Sequence, residues 1–240
     1  MNSKAFDEII QLNKDFYEKI GEDFSKTRQS PWDGWAKTLD VVRKAVNPSE
    51  KTKILDLGCG NGRLLKFLLD NKLNNFEYYG YDTDSFLLSF PIAHYDLPFV
   101  HFDKMDILKD LGNISGKFDV IFAFGLAHHI PSSEFRIKWF RQVVSILKPN
   151  GMFIFTTWNY NRDARFVPAN NRFRNLKEEL EDGDYFIGWN NLENVYRYVH
   201  IYSNIEIERI LKSCGAKLLS KFSSDGKNGN LNDYFIVGLG

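Results

Sequence analysis

Several residue types and patterns are scarce in this 240-residue sequence, and each scarcity excludes a class of protein. Two cysteines, Cys59 and Cys214, are too few for a disulfide framework and form no zinc-type spacing. No apolar run approaches the length of a membrane-spanning helix, and the polar stretch 1–13 has no signal-peptide core. Acidic and basic residues balance at 31 each, so no net field favours nucleic acid or membrane. We therefore expect a cytoplasmic protein without a metal site, in which any RNA contact is local.

One glycine-rich stretch, 54–62, organises the rest of the chain. It begins as a short apolar run, which is typical of a strand buried on both faces, and then turns through three glycines. Apolar residues at helical spacing follow over 64–69. The glycines allow the backbone to approach a ligand closely, and the helix start offers N–H groups to a negative charge. The pattern predicts a nucleotide-binding corner.

Strand and helix patterns alternate from Lys53 onward, which predicts a parallel sheet with helices on both faces. The strand candidates are 53–57, 77–81, 99–102, 118–122, 152–157, 217–222 and 234–239, the last two forming an antiparallel C-terminal hairpin. The helix candidates are 6–20, which Gly21 would end, 35–45, 62–71, 85–94, 135–147 and 204–213. We expect a single α/β domain over 1–240, with a helical cap at 1–50 and an insertion, 162–191, over the active site.

The glycine turn distinguishes between nucleotides. A dinucleotide fingerprint would need a third glycine where Arg63 stands, and no triphosphate P-loop is present. The pattern that is present, D-x-G-x-G-x-G from Asp56 to Gly62, resembles motif I of the class I S-adenosylmethionine-dependent methyltransferases. The resemblance implies a Rossmann-like fold with a mostly parallel seven-stranded sheet, and S-adenosyl-L-methionine as the cofactor.

The chemistry of that cofactor suits the acids that follow successive strands. Asp56 can hold the ammonium, while backbone N–H groups meet the carboxylate. Asp82 can take both ribose hydroxyls, although alone it would serve a dinucleotide equally well, and Asp84 competes with it. Asp106 resembles the acceptor for the adenine amino group, although alone it could be a helix N-cap. The expected cofactor-binding residues are Tyr17, Arg28, Asp56, Gly58, Cys59, Gly60, Asn61, Gly62, Asp82, Thr83, Asp106, Ile107, Phe124 and Gly125.

Three further segments narrow the resemblance. They are similar to segments of the tRNA wobble-uridine carboxymethyl methyltransferases. The three segments are Ala127-His128-His129-Ile130, the stretch 20–28 ending in Thr27-Arg28, and the stretch 197–202 with the sequence Arg-Tyr-Val-His-Ile-Tyr. That family includes the methyltransferase domain attached to an AlkB-type oxygenase in animals. The resemblance implies methyl transfer to the carboxylate of 5-carboxymethyluridine, and it implies a small zinc-binding activator subunit as a candidate partner.

An ionised carboxylate is already a nucleophile, so this reaction needs alignment and water exclusion rather than a strong base. The site needs cations for the carboxylate and aromatic rings for the base. Trp158 and Tyr202 could instead be core residues, and His128 could only fix its loop. The catalytic candidates are His129, His128 and Arg28, and the substrate-binding candidates are Trp32, Trp158, Arg162, Arg165, Trp189, Arg197, His200 and Tyr202.

Arginines and aromatic residues cluster over 162–177, which suits contacts with the backbone and bases of a tRNA anticodon loop. Acidic residues follow over 178–184, so a self-paired lid explains the segment equally well. Two alternative functions remain open at this point. One is a small-molecule O- or N-methyltransferase, favoured by the zero net charge, and the other is a non-catalytic cofactor-binding scaffold.

Overall fold

The structure is a computed structural model, and it describes residues 1–27, 30–46, 49–163, 166–189 and 192–240. The helices are α1 Ser3–Thr27, α2 Gly34–Ala45, α3 Arg63–Asp70, α4 Ser85–His94, α5 Ser133–Ser145 and α6 Asn204–Ser213. The strands are β1 Thr52–Leu57, β2 Phe76–Asp82, β3 Val100–Lys104, β4 Phe118–Ala123, β5 Leu147–Trp158, β6 Asp184–Gly188, β7 Tyr196–His200, β8 Ala216–Ser224 and β9 Asn232–Leu239.

A seven-stranded sheet carries the fold in the order β3-β2-β1-β4-β5-β9-β8. The pairs among β1 to β5 are parallel, whereas β9 lies antiparallel between β5 and β8. This architecture confirms the predicted Rossmann-like fold with its antiparallel C-terminal hairpin. It also brings the carboxyl ends of β1, β2 and β4 to one edge, where a ligand site forms in such sheets.

Side chains of the central strands alternate between two buried faces. Leu55 and Ile121 belong to a core that α5 and α6 cover, whereas Ile54 and Val120 belong to a core that α2 and α3 cover. Burial on both faces explains why these strands are continuous apolar runs in the sequence. None of the described helices combines the length and the apolar character that crossing a bilayer requires.

The prediction that Gly21 ends the first helix is wrong. Helix α1 continues to Thr27, and Gly21 is buried within it. A glycine costs a helix roughly 1 kcal/mol relative to alanine. Packing of Phe16 and Ile20 on both Trp189 and Val195 offsets that cost. Tertiary contacts therefore override the local signal.

Two strands, one within the insertion and one just after it, were not predicted from the sequence. Strands β6 and β7 form a separate antiparallel pair, in which Asp184 lies opposite His200. Their residues pack on the amino-terminal half of α1, where Phe186 and Tyr198 cluster with Ala5 and Ile9. The insertion is thus attached to α1, and α1 is the element that borders the ligand cavity.

Candidate active site

A cavity of about 460 Å³ lies at the carboxyl edge of the sheet. Its wall comes from the turn after β1, the ends of β2 and β3 with the residues that follow them, and the loop after β4. Helix α1 contributes a further side through Ile10, Asn13, Lys14, Tyr17 and Glu18. This volume lies in the ordinary range for a small-molecule or cofactor site.

The turn after β1 has the backbone that its glycines predicted. Gly58, Gly60 and Gly62 all have positive φ, at 78°, 52° and 74°. A Cβ on Gly62 would lie 2.6 Å from the Cβ of Pro91, so α4 leaves no room for a side chain there. The turn is held against β2 because the Gly58 N–H donates to the Tyr81 carbonyl over 2.8 Å. A tight backbone cradle results.

Asp56 lies at the floor of this cradle and is almost fully buried. The Tyr78 hydroxyl donates a hydrogen bond of 2.5 Å to its Oδ2. Burial raises the pKa of Asp56 to about 7, although the bond from Tyr78 acts in the opposite direction. A cationic ligand group in the cavity would restore the ionised form of this carboxylate.

Asp82, at the end of β2, is oriented by two backbone donors. Gly60 N–H donates to its Oδ2 over 2.8 Å, and Asp84 N–H donates to its Oδ1 over 2.9 Å. Burial raises the pKa of Asp82 to about 6, although both of these bonds act to lower it. Its neighbour Asp84, which was expected to compete for the same role, instead caps α4 by accepting from the Phe86 and Leu87 N–H groups. Asp84 nevertheless lines the cavity as well.

Asp106 makes cap-like hydrogen bonds and also lies at the cavity wall. Its Oδ1 accepts from the N–H groups of Leu108 and Lys109, as a cap does, while the residue also lines the cavity. Its Oδ2 accepts a hydrogen bond of 3.0 Å from Lys14 Nζ of α1. The carboxylate proposed for adenine is therefore tied to the helix that borders the cavity.

The other end of the cavity is aromatic and cationic. Trp32, Trp35, Phe124 and Arg63 line it together with Gly125. The Trp35 and Phe124 rings stack with centroids 5.7 Å apart. The Trp32 ring comes within 3.4 Å of where a Cβ on Gly125 would lie. A flat, apolar group would fit against these rings.

His129 lines the cavity between α1 and β7. Its Nδ1 lies 2.9 Å from the Tyr198 carbonyl oxygen, and its Nε2 lies 2.8 Å from the Tyr17 hydroxyl. Because a carbonyl only accepts, Nδ1 carries the hydrogen and Nε2 accepts from Tyr17. Burial lowers the pKa of His129 to about 3, so the ring is neutral. The preferred catalytic candidate, His129, is therefore a neutral imidazole that forms a hydrogen bond through each of its two nitrogen atoms.

A second group of candidates packs behind this wall without lining the cavity. The Arg197 guanidinium lies over the rings of Trp158 at 4.6 Å, Phe16 at 5.0 Å and Trp189 at 5.7 Å. Its side chain is buried, and its Nε makes no hydrogen bond among the described residues. His128 is also buried, 5.6 Å from the Trp158 ring, and desolvation holds its pKa well below the usual range. Arg197, His128 and Trp158 therefore form one buried cluster, in which a cationic group is surrounded by aromatic rings.

Three substrate-binding candidates do not line the cavity, and each has a bonding partner within the protein. His200 is occupied on both nitrogens, by Asp184 at 2.6 Å and Glu206 at 2.8 Å. The Tyr202 hydroxyl donates to the Ala127 carbonyl, so it supports the loop that carries His128. Arg162 pairs with Asp233 at 3.1 Å. Gly62 is in the turn but does not line the cavity, and Arg28 and Arg165 fall outside the described residues.

Several cavity residues were not singled out as site residues from the sequence. Asn13, Lys14 and Glu18 belong to a helix whose amphipathic pattern does not reveal which domain edge it covers. For Arg63 the sequence indicates only that the third glycine of a dinucleotide fingerprint is absent. The remaining residues of this kind are Ile10, Trp35, Leu64, Asp84, Leu87, Lys104, Leu108 and Leu126.

The donor set fits S-adenosylmethionine on structural grounds. A backbone cradle without Cβ atoms, a buried carboxylate at Asp56 and an oriented carboxylate at Asp82 match an amino-acid group and a ribose. Ile107 is buried at the cavity wall beside Asp106, where it offers an apolar surface to a ring. We propose these residues as the cofactor seat.

Comparison with known proteins defines the class. A sequence model described as a methyltransferase domain matches residues 24–221, and the chain belongs to this family. Together with its fold, this membership makes the protein a class I S-adenosylmethionine-dependent methyltransferase, with S-adenosylmethionine as its cofactor. This result argues against the alternative of a non-catalytic cofactor-binding scaffold.

Individual relatives are more distant. The chain is 29% identical over 171 residues to the tRNA (carboxymethyluridine(34)-5-O)-methyltransferase ALKBH8 of Macaca fascicularis, covering 68% of this chain but 23% of that protein. It is 25% identical to the tRNA (carboxymethyluridine(34)-5-O)-methyltransferase of Schizosaccharomyces pombe, covering 85% of this chain and 87% of that protein. The structure of a Clostridium acetobutylicum S-adenosylmethionine-dependent methyltransferase aligns with a TM-score of 0.65 at 20% identity, covering 93% and 99% of the two chains.

Proposed function

We propose that this enzyme methylates the carboxylate of 5-carboxymethyluridine at the wobble position of tRNA, giving a methyl ester. Two of the relatives are named for modification of that nucleoside. The single observation that carries the proposal is the state of Arg197. Its buried guanidinium has no ion-pair partner among the described residues, and it lies beside His128 and His129.

A buried cation is costly unless an anion or hydrogen-bond acceptors compensate for lost hydration. Aromatic faces compensate in part, since each cation–π contact contributes on the order of 1 kcal/mol. A substrate carboxylate would supply the missing anion, and arginine binds carboxylates through two parallel N–H donors. This cluster thus suits an anionic acceptor.

Alignment and water exclusion are then the main tasks of the protein. The cofactor supplies a methyl group on a sulfonium, which leaves as a neutral thioether. His129 is neutral and accepts from Tyr17, so the pair closes the wall without taking a proton from the acceptor. This arrangement agrees with a carboxylate nucleophile, which has no proton to lose.

The decisive experiment is mass spectrometry of nucleosides from hypomodified tRNA that has been incubated with the enzyme and S-adenosylmethionine. We expect the methyl ester of 5-carboxymethyluridine to accumulate, and its absence would refute the proposal. The variant Arg197→Met should slow ester formation at least about 10-fold, because an arginine–carboxylate bond contributes about 1.5–3 kcal/mol. Cofactor affinity should stay within about threefold, and Arg209→Met, which removes an exposed arginine on α6, is the matched control.

A small-molecule acceptor is the competing proposal, and one observation favours it. Arg162, which the sequence assigned to a tRNA-binding cluster, is engaged with Asp233. Binding of tRNA should weaken steeply with salt, because phosphate contacts release counterions. A small-molecule enzyme should show no such slope. A cytoplasmic location and a zinc-binding activator subunit stay predictions.

A further inference from the structure

We propose that Arg63 is the cation that pairs with the carboxylate at the methionine end of the cofactor, and that it thereby selects an amino-acid-bearing nucleoside. The inference rests on the cofactor seat proposed above. Arg63 is the residue that breaks the dinucleotide fingerprint, and the predicted site gave it no other role.

The geometry fixes this guanidinium at the cavity. Arg63 lines the wall as the first residue of α3. Its guanidinium lies 4.9 Å from the Trp35 ring centroid and 5.3 Å from that of Trp32. Its Nη1 also donates to the Ser30 carbonyl over 3.0 Å. Two aromatic faces and a backbone acceptor thus orient a side chain that would otherwise sample many rotamers.

Charge along the cavity supports the same assignment. The cationic side chains that line it within the described residues are Lys14, Arg63 and Lys104. Lys14 is bonded to Asp106, and Lys104 is exposed at the end of β3, opposite Asp82. Arg63 is the cation whose charge lowers the pKa of Asp56, against the larger effect of burial. It therefore lies near the carboxylate proposed for the cofactor ammonium.

A zwitterion needs one anion and one cation at its binding site. Asp56 supplies the anion and Arg63 the cation, and both lie at the turn between β1 and α3. The amino-terminal end of α3 adds partial positive charge on the same side. This explains why an arginine can replace the glycine of a dinucleotide-binding turn. The substitution adds a donor for a carboxylate that a dinucleotide does not carry.

The test is isothermal titration calorimetry with two ligands that differ only in this carboxylate, S-adenosylmethionine and decarboxylated S-adenosylmethionine. Wild-type protein should bind the first about 10- to 100-fold more tightly, as expected for one charge-assisted pair. In Arg63→Met that preference should fall to about threefold or less. Decarboxylated ligand should bind the variant and the wild type within about threefold of each other.

Two further variants separate this role from mere support of the wall. Arg63→Lys keeps the charge but loses the planar fork, so it should retain an intermediate preference. Lys66→Met, which removes an exposed lysine paired with Asp70 on the same helix, should retain the full preference. Equal weakening of both ligands in the Arg63 variants would overturn the inference, even if Arg63→Met proves unstable and only Arg63→Lys can be measured. Failure of wild-type protein to bind either ligand would instead refute the cofactor seat.

Discussion

Asp56 and Asp82 are carboxyl groups whose protonation is set by the cavity they line. Burial raises their pKa values to about 7 and about 6, respectively. Near neutral pH the empty site therefore exists in more than one charge state, whereas a bound ammonium requires the ionised form of Asp56. The same carboxyl group that favours the cofactor makes the ligand-free protein less stable.

The variant Asp56→Asn should separate the effect of this carboxylate on protein stability from its effect on cofactor binding. A raised folded-state pKa means that stability is fully present below the unfolded value of 3.8 and is lost as pH rises through about 7. The rise from 3.8 to about 7 corresponds to at most about 4 kcal/mol. We therefore expect ligand-free Asp56→Asn to be more stable than wild type at pH 8 in urea unfolding, but not at pH 4.

The stability of the ligand-free protein falls as pH rises, whereas its affinity for the cofactor should increase. In calorimetry, wild-type affinity should rise as pH increases from about 6 to 8 and Asp56 ionises. Asp56→Asn should bind S-adenosylmethionine weakly and should lose this part of the pH dependence. The residue to which we assign the ammonium would be wrong if the variant kept both the affinity and the slope.

Residue-level prediction from sequence extends as far as local spacing allows. Asp56, Asp82 and Asp106 follow consecutive strands, so a parallel sheet brings them to one edge. Lys14 and His200 could not be placed this way. Their partners, Asp106 and Glu206, depend on how α1 and β7 pack on the sheet, which no local pattern encodes.

At the scale of elements, the contact between the β1–α3 turn and α4 leaves no room for a methyl group. Gly62 has a φ of 74°, and a Cβ there would lie 2.6 Å from Pro91. Gly62→Ala should cost about 2–4 kcal/mol, combining left-handed strain with overpacking. The matched control is Gly116→Ala, where φ is 92° but no atom lies within 4 Å of the added Cβ. This control should cost only the strain, about 1–2 kcal/mol.

Urea unfolding of both variants measures the difference directly. The contact explanation requires Gly62→Ala to be the less stable of the two. Equal losses would mean that α4 yields to the added methyl group and that strain alone restricts the turn to glycine.

The bounds of two helices were predicted correctly from the sequence. Helices α4 and α6 begin and end where their patterns predicted, and Asp84 and Ser203 cap them. Strands β6 and β7 were not predicted from the sequence, because each has only five residues and they pair mainly with each other under α1. Burial by a distant helix gives these strands no alternation to detect.

At the scale of the whole molecule, one buried polar network joins the small β6–β7 sheet to the main domain. Arg136 of α5 is almost fully buried, and it bonds to Glu181 at 2.7 Å and Glu206 at 2.8 Å. His200 bridges Glu206 of α6 and Asp184 of β6. The network therefore holds the insertion, and through it α1, in place over the cavity.

The stability of this joint should depend on pH in a defined window. Burial opposes the charged form of His200, but its bonds to Asp184 and Glu206 raise its pKa overall. That stability is present below about 6.5 and is lost as pH rises through the raised value. Burial likewise opposes the ionised form of Glu206, but bonds from His200 and Arg136 lower its pKa, so its contribution is lost as pH falls below about 4.5.

His200→Gln should consequently destabilise the protein most between about pH 4.5 and 6.5, by about 3 kcal/mol, because it leaves the buried carboxylate of Asp184 without its cation. The loss should shrink by pH 8.5, where the wild-type ring is neutral more of the time. Thermal unfolding at several pH values measures this profile. His101→Gln, at a half-exposed histidine 3.6 Å from Glu77, is the control and should change stability little at any pH. A pH-independent loss in His200→Gln would mean that packing of the ring, rather than its charge, joins the two sheets.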